Sequence, residues 1–159
     1  ADWTAQQQLL QNLTDEFNEI QRTIRGIRKV KNQITQYNEQ LGNDPQYKDL
    51  IDAGKQLLQK LEAWEADYVQ LKAKKFQIVT DVPNKLLGDY LQLKSAADTH
   101  DPRLTQGVQE RTKDLKLEWQ KKKASYSILQ QQDIERYNKL IRKKGLPALI
   151  SETKEPVNN

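Results

Sequence analysis

The stretch from Thr105 to Lys144 reads TQGVQERTKDLKLEWQKKKASYSILQQQDIERYNKLIRKK, and it decides the fold. Its apolar or small residues recur mostly at steps of three and four: Val108, Thr112, Leu115, Trp119, Tyr126, Leu129, Tyr137, Leu140 and Ile141. This spacing follows one face of a helix and not a strand. A helix of about 40 residues would be about 60 Å long, too long to be buried in a compact globule. We therefore expect partner helices of similar length.

Two further stretches supply such partners. The first runs from about Asp2 to Leu41, with apolar positions at Leu10, Leu13, Phe17, Ile20, Ile24, Ile27, Val30, Ile34, Tyr37 and Leu41. The second runs from Pro45 to about Val79. Its heptad positions are Leu50, Leu57, Trp64, Leu71 and Ile78 on one line and Gly54, Leu61, Tyr68 and Lys75 on the other. Heptad spacing keeps a stripe straight along helices that pack side by side.

The chain is predicted to turn sharply between these two helices. Gly42 favours the end of a helix, Asp44 suits the cap of the next, and Pro45 suits its first position. A connection this short makes the second helix run antiparallel to the first. A shorter helix is predicted from Pro83 to about Ala97. Its broad apolar face comprises Leu86, Leu87, Tyr90, Leu91 and Leu93.

The last helix is predicted to begin at either Asp101-Pro102 or Thr105 and to end at Gly145, after three basic residues. The predicted fold class is all-α: an antiparallel up-down-up bundle of three long helices, with a short extra helix between the second and the third. We expect a single domain over residues 1–150, with helices at about 2–41, 45–79, 83–97 and 105–144. The polar tail 151–159 is expected to fray.

The composition suits such a bundle and excludes several classes. Only 36% of the 159 residues are hydrophobic and 30% are charged, as expected when each helix buries one stripe. The absence of cysteine excludes disulfides and thiolate chemistry. No apolar run approaches the ~20 residues of a membrane span, so no transmembrane segment is predicted. The chain starts Ala1-Asp2-Trp3 without methionine, so we expect a processed product or an excised fragment.

No catalytic, cofactor or metal site is predicted. His100 is the only histidine, and it lies in a loop beside Asp101. Aspartate is common in turns, so we interpret Asp101 as a turn residue and not as a metal ligand. Three acidic pairs are expected on solvent faces: Asp15 with Glu16, Glu62 with Glu65, and Glu110 with Asp114. A bundle with filled stripes offers no cleft in which such a pair could act as acid and base. Gly-rich phosphate loops and Gly-x-Ser-x-Gly are also absent from the sequence.

The surface charge is mildly basic, because 26 lysines and arginines face 22 acidic residues for a net charge of +4. Basic residues cluster at Arg22, Arg25, Arg28, Lys29 and Lys31, at 121–123 and at 142–144. Glu118 and Glu135 stand four residues before Lys122 and Lys139, so we expect the surface to compensate much of its own charge. Binding to nucleic acid or to an anionic surface through these basic faces is an open alternative.

The aromatic residues divide into two groups. Trp64, Tyr68, Trp119 and Tyr126 lie at stripe positions and are predicted to be core residues. Trp3 lies outside any stripe, next to the first residue of the chain. We predict that Trp3 contacts a neighbouring domain.

Several segments resemble a known family. They are Asp15-Glu16-Phe17-Asn18-Glu19-Ile20 and residues 24–33, Val82-Pro83-Asn84-Lys85-Leu86-Leu87, Asp101-Pro102 with Thr105-Gln106, and Tyr137-Asn138-Lys139-Leu140-Ile141 with Gly145-Leu146-Pro147-Ala148. These are similar to the C-terminal helical region of large bacterial proteins built on BNR/sortilin-type β-propellers, often labelled glycosyl hydrolases. The resemblance implies a periplasmic or secreted parent protein that acts on glycans, with any active site on its propeller. The resemblance assigns no catalytic residue to this chain, because the matching residues define the apolar faces and the ends of helices.

Three functions stand as hypotheses. The leading one is a non-catalytic structural or interaction module, whose partner is the propeller domain of the same parent chain, another protein or a second copy. The second is an accessory domain of a glycosyl hydrolase, with Trp3 and the exposed end of the short helix contacting substrate. The third is a weak binder of nucleic acid or anionic surfaces through the basic helix faces. No cofactor is expected in any of them.

Overall fold

A computed structural model describes residues 2–66 and 85–149. All regular structure in these two ranges is helical and neither range contains a strand, so the all-α prediction is confirmed. The helices are α1 (Asp2–Leu41), α2 (Lys48–Ala66), α3 (Lys85–Ala97), α4 (Gln106–Ile128) and α5 (Glu135–Lys143). A 3-10 turn, Pro45–Tyr47, precedes α2, and a π-helical segment, Leu129–Ile134, joins α4 to α5.

The turn after α1 follows the predicted chemistry. Gly42 adopts a φ of 58° and donates its N–H to the Asn38 carbonyl at 3.2 Å, which ends the helix. The Asp44 side chain accepts the N–H of Gln46 at 2.9 Å, and Pro45 opens the 3-10 turn. The local sequence thus accounts both for the end of α1 and for the start of the 3-10 turn that precedes α2.

The last helical run is also bounded by local signals. Of the two predicted starts, Thr105 is the cap, because its hydroxyl accepts the N–H of Val108 at 3.3 Å. At the other end Gly145 takes a φ of 72°. Leu146 and Gly145 donate their N–H groups to the carbonyls of Ile141 and Arg142, at 3.1 and 3.0 Å. These two bonds form a Schellman motif.

The π-helical segment changes which residues face inward. Its wider turn includes the bond from the Glu135 N–H to the Gln130 carbonyl, five residues back. One extra residue rotates everything after it by about 100° relative to an uninterrupted α-helix. Ile134 and Asn138 are therefore buried, whereas Leu129 and Leu140 of the predicted stripe are only half-buried.

Tertiary contacts divide the chain into two compact units. The N-terminal unit contains the described parts of Ala1–Gln21 and Glu65–Ala124. The C-terminal unit contains the described parts of Arg22–Trp64 and Ser125–Asn159. Both units draw on α1 and on the last helical run, because the unit boundaries fall inside those helices.

The N-terminal unit packs α3 against the first half of α1 and against α4. Its core consists of Leu13, Ile20, Leu86, Tyr90, Leu93, Ala97, Val108, Leu115 and Trp119. Gln6 bonds to Ala97 and Glu16 bonds to Tyr90, so α3 runs antiparallel to α1. On α3 the apolar face is narrower than predicted, since Leu91 is 53% exposed.

The C-terminal unit packs the second half of α1 against α2 and the last helical run. Its core consists of Ile24, Ile27, Val30, Ile34, Leu50, Leu57, Leu61, Trp64, Tyr126, Ile134, Tyr137, Ile141 and Leu149. A Cβ on Gly54 would meet the Asn38 and Ile34 side chains at 3.0 and 3.1 Å, so α2 approaches α1 closely there.

Some predictions fall outside the described residues. They are the second half of the predicted second helix with Tyr68, Leu71, Lys75 and Ile78, the start of the short helix at Pro83, and the tail 151–159. The single domain over 1–150 and the three-helix up-down-up arrangement stay predictions.

Candidate functional site

Trp3, the predicted contact residue, lies in the first turn of α1 with 56% of its surface exposed. The other two tryptophans are core residues, with 7% exposure at Trp64 and 2% at Trp119. Exposed large aromatic side chains are common at protein interfaces. Trp3 is thus available for contact, and the identity of any partner stays a prediction.

The buried aromatic residues predicted as core are confirmed at the three described positions. Trp64 donates its indole N–H to the Ser125 hydroxyl at 2.9 Å, and its ring lies 5.3 Å from that of Tyr126. Trp119 donates to the Glu19 carboxylate at 3.0 Å. These side chains have the packing and polar partners of core residues, so they do not form a ligand-stacking platform.

The acidic pairs are not uniformly solvated, which corrects the prediction for two of them. Glu16 accepts the Tyr90 hydroxyl at 2.8 Å, and burial, together with this carboxylate, raises the Tyr90 pKa. Glu65 is only 4% exposed because it follows Leu61 by one helical turn and so lies on the inward side of α2. Glu110 remains exposed and accepts the Gln106 amide at 2.7 Å. The carboxylates with partners hold structure together and do not face one another across a cleft.

The loop with His100 is built by turn chemistry. His100 is exposed, and the neighbouring Asp101 accepts bonds from both Nε and Nη2 of Arg103 at 2.6 to 3.1 Å. This charged hydrogen bonding lowers the Asp101 pKa to about 2. In the described ranges no group of three histidine or acidic residues could hold a metal ion.

Many of the basic residues tie elements together. Lys123 bonds to Glu19, and Lys144 donates to the Gln46 carbonyl at 2.8 Å. Glu135 pairs with Arg142 at 2.9 Å, instead of with Lys139 as predicted. On α1, none of Arg22, Arg25, Arg28 and Lys31 is without a partner. The basic clusters are therefore largely committed to contacts within the chain.

A small cavity between α2 and the last helical run, lined by both polar and apolar side chains, was missed by the sequence analysis. It measures about 60 Å³, and its polar lining consists of Gln56 and Lys60 from α2 with Asp133, Arg136 and Tyr137 opposite. Lys60 and Asp133 form an ion pair across it. The cavity lies within the C-terminal unit. No sequence signal marks it, because these residues meet only through the register of two helices far apart in the chain.

A second contact within the C-terminal unit fixes the segment after α5. The Asn138 side chain accepts the Leu149 N–H at 2.8 Å, and the Tyr37 hydroxyl donates to the Pro147 carbonyl. Leu149 is buried, which agrees with the apolar character of residues 146–150. The predicted helix end at Gly145 is thus followed by chain that folds back onto α1 and α5.

Comparison of the chain with protein-family models, curated proteins and solved structures found no match. The resemblance to propeller-associated helical regions accordingly stays a prediction. No helix within residues 2–66 and 85–149 combines the length and the apolar character that crossing a membrane requires.

Proposed function

We propose that this chain is a non-catalytic structural or interaction module with three long helices in an up-down-up bundle. The observation that carries the proposal is the use of its polar side chains. Gln6, Glu16, Glu19 and Asn138 all serve as ties between segments of the chain. A catalytic site instead holds acids and bases free in a concave pocket.

The parent of this module is a larger bacterial β-propeller protein, periplasmic or secreted, that acts on glycans. This part of the proposal rests on the resemblance of the helix registers and caps alone. Trp3 is the contact residue toward the propeller domain, because it is the most exposed of the large hydrophobic residues noted in the described chain. An exposed tryptophan at an interface contributes much of the binding energy.

The non-catalytic part is tested with a panel of glycans. The purified chain is expected to release no more reducing sugar than a buffer blank. Turnover that survives repurification and is lost on heat unfolding would overturn the proposal.

The parent is tested by recovering the coding sequence upstream of Ala1. Propeller repeats there support the proposal, and any other domain contradicts it.

The upstream domain is then expressed separately and titrated with this chain. Trp3→Ala should weaken the complex about tenfold or more, as for an interface hot spot. Leu117→Ala is the control, since Leu117 is similarly exposed at 52% and lies on another helix. Equal binding by both variants and the unmodified chain would remove Trp3 from the interface.

A further inference from the structure

We propose that the surface between α1 and α5 is a docking groove for an extended Pro-x-Leu segment of a partner protein. In the free chain this groove holds Pro147-Ala148-Leu149, which we call the strap. The proposal rests on the interaction role proposed above, and it names the chemistry of one partner. It concerns only the C-terminal unit and is independent of the propeller parent.

The groove recognises the strap through its main chain. The Tyr37 hydroxyl of α1 donates to the Pro147 carbonyl, and the Asn138 side chain of α5 accepts the Leu149 N–H at 2.8 Å. Asn138 is only 7% exposed, so it is a buried polar group that needs this partner. Main-chain groups are the same in nearly every sequence, so these two bonds would hold any extended segment of the same spacing.

The side chains of the strap indicate which sequence fits. Leu149 is the anchor, because it is buried and lies two residues after the recognised carbonyl. Pro147 is exposed, and proline suits its position because the fixed φ favours extended chain and the missing N–H leaves no donor unpaired. Together a carbonyl, an N–H and an apolar side chain at this spacing specify Pro-x-Leu.

The strap fills the groove incompletely. An open cleft of about 290 Å³ lies beside Pro147 and Ala148, and the methyl group of Ala148 is too small to fill it. The wall of the cleft on α1 consists of Gln33, Gln36, Tyr37 and Gln40. A long polar side chain at the middle position of a partner segment would enter the cleft and bond to an amide of this wall, since an amide both donates and accepts. A Pro-Gln-Leu segment would therefore make more contact than the strap does.

Release of the strap does not require the helices to unfold. The strap follows the Schellman motif at Gly145, and Lys144 holds the end of α5 separately by its bond to the Gln46 carbonyl at 2.8 Å. Leu149 is the only fully buried residue of the strap. Segments with few buried contacts open locally at low free energy. A tethered segment has a high effective concentration, so the strap raises the affinity that a partner needs.

Hydrogen exchange in the unmodified chain tests the release. The Leu149 amide should exchange through a local opening that needs less free energy than exchange of the Ile141 amide in the core of α5. Dilute urea should change the Leu149 opening little, because a local opening exposes little surface. If Leu149 shares the free energy and the urea dependence of Ile141, the strap leaves only on global unfolding and the proposal is wrong.

Peptide titration followed by NMR tests the groove. Leu149→Glu places a carboxylate where the anchor is buried, so it should release the strap while circular dichroism shows intact helices. A Gly-Leu-Pro-Gln-Leu peptide should bind this variant at least about tenfold more tightly than the unmodified chain, and the Asn138 side-chain signal should shift. Leu149→Ala, which adds no charge, should change the affinity in the same direction.

Ile128→Glu is the matched control, because Ile128 is 53% exposed on α4 and lies outside the strap. This variant should bind the peptide no more tightly than the unmodified chain. Within the Leu149→Glu chain, Tyr37→Phe should weaken binding severalfold, because it removes the donor to the peptide carbonyl.

Changes in the peptide separate docking from non-specific apolar contact. Alanine in place of the peptide leucine should abolish detectable binding, and alanine in place of its glutamine should weaken binding severalfold. Binding that ignores these changes, or equal binding by Leu149→Glu and Ile128→Glu, would overturn the proposal. The glycan panel and the Trp3 titration do not depend on this groove, so its failure is distinguishable from failure of the proposed function.

Discussion

In the N-terminal unit, three polar side chains of α1 reach across to other segments and each has a partner. Gln6 donates to the carbonyls of Ala97 and Thr99 at 2.8 and 3.0 Å, which satisfies the end of α3. Glu16 and Glu19 accept from Tyr90 and Trp119. In the C-terminal unit, Asn38 and Tyr137 each bury a polar atom that has no hydrogen-bond partner among the described residues.

This difference indicates two ways of holding three helices together. The polar contacts of the N-terminal unit specify which helix faces meet, because a misaligned helix would leave the buried Gln6 amide and the half-buried Glu16 and Glu19 carboxylates unpaired. The C-terminal unit also has polar contacts between segments, such as that of Asn138 with Leu149, and it adds close packing at Gly54 and the aromatic contact between Trp64 and Tyr126. Gln130 lies near the Tyr126 hydroxyl without meeting hydrogen-bond geometry.

The largest effect is expected at Trp119 in the N-terminal unit. Trp119→Ala should lower the free energy of unfolding by about 3–5 kcal/mol, because it removes a buried ring and its bond to Glu19. Leu117→Ala, on the exposed side of α4, should change it by less than about 0.5 kcal/mol. Urea unfolding followed by circular dichroism measures both. Comparable losses would contradict the assignment of α4 faces.

Alkaline pH should destabilise both units through their buried tyrosines. Burial raises the pKa of Tyr137 to about 12 and raises that of Tyr90, where the Glu16 carboxylate adds to the effect. An unfolded tyrosine loses its proton near pH 10. The folded chain holds these protons more tightly, so its stability is complete below about pH 10 and declines as the pH rises toward 12.

This decline is measured as the urea midpoint from pH 8 to 12. Each unit of raised pKa corresponds to about 1.4 kcal/mol. Tyr137→Phe should flatten the decline, since phenylalanine has no proton to lose. An unchanged slope in that variant would show that Tyr137 ionises normally in the folded chain.

Removal of single hydroxyls tests the comparison directly. Tyr90→Phe should cost about 1.5–3 kcal/mol at neutral pH, because the partly buried Glu16 carboxylate loses a hydrogen bond. Tyr137→Phe should change the free energy of unfolding by less than about 0.5 kcal/mol, because its hydroxyl has no bond to lose. If the two variants lost equal stability, the contrast between the units would be wrong.

The sequence predicts those parts of the fold that are set by local chemistry. Gly42, Asp44, Thr105 and Gly145 act as predicted because caps and left-handed turns involve only neighbouring residues. The burial of Trp64 and Trp119 also follows from helical spacing. Such features need no knowledge of which helices meet.

The features that sequence reasoning missed depend on tertiary context. Counting in steps of three and four assumes an α-helix throughout, so the π segment and the burial of Ile134 and Asn138 could not be anticipated. The cavity requires Lys60 and Asp133 to meet, although 73 residues separate them. Only the register between α2 and the last helical run brings them together.

Two helical glycines provide a smaller test of packing in the two units. A Cβ on Gly88 in α3 would meet nothing within 4 Å, so Gly88→Ala should stabilise the chain by about 1 kcal/mol through helix propensity. Gly54→Ala should lose this gain or reverse it, because its Cβ would meet the Asn38 side chain at 3.0 Å. The urea midpoints of both variants measure this difference. Equal stabilisation would show that a Cβ at Gly54 fits between α2 and α1 without a clash.

The smallest effect is expected at an exposed tie of the N-terminal unit. Asp101 binds Arg103 through two bonds to Nε and one to Nη2, and this pairing lowers its pKa to about 2, yet both side chains face solvent. Solvent and salt screen such a pair, so Asp101→Asn should leave the urea midpoint at pH 7 unchanged within error. NMR titration of the Asp101 carboxyl group in the unmodified chain should still show the lowered pKa, because a pair only two residues apart also forms in the unfolded chain and lowers the pKa in both states. A loss comparable with that of Tyr90→Phe would mean that partner geometry, and not burial, determines how strongly a polar tie stabilises this unit.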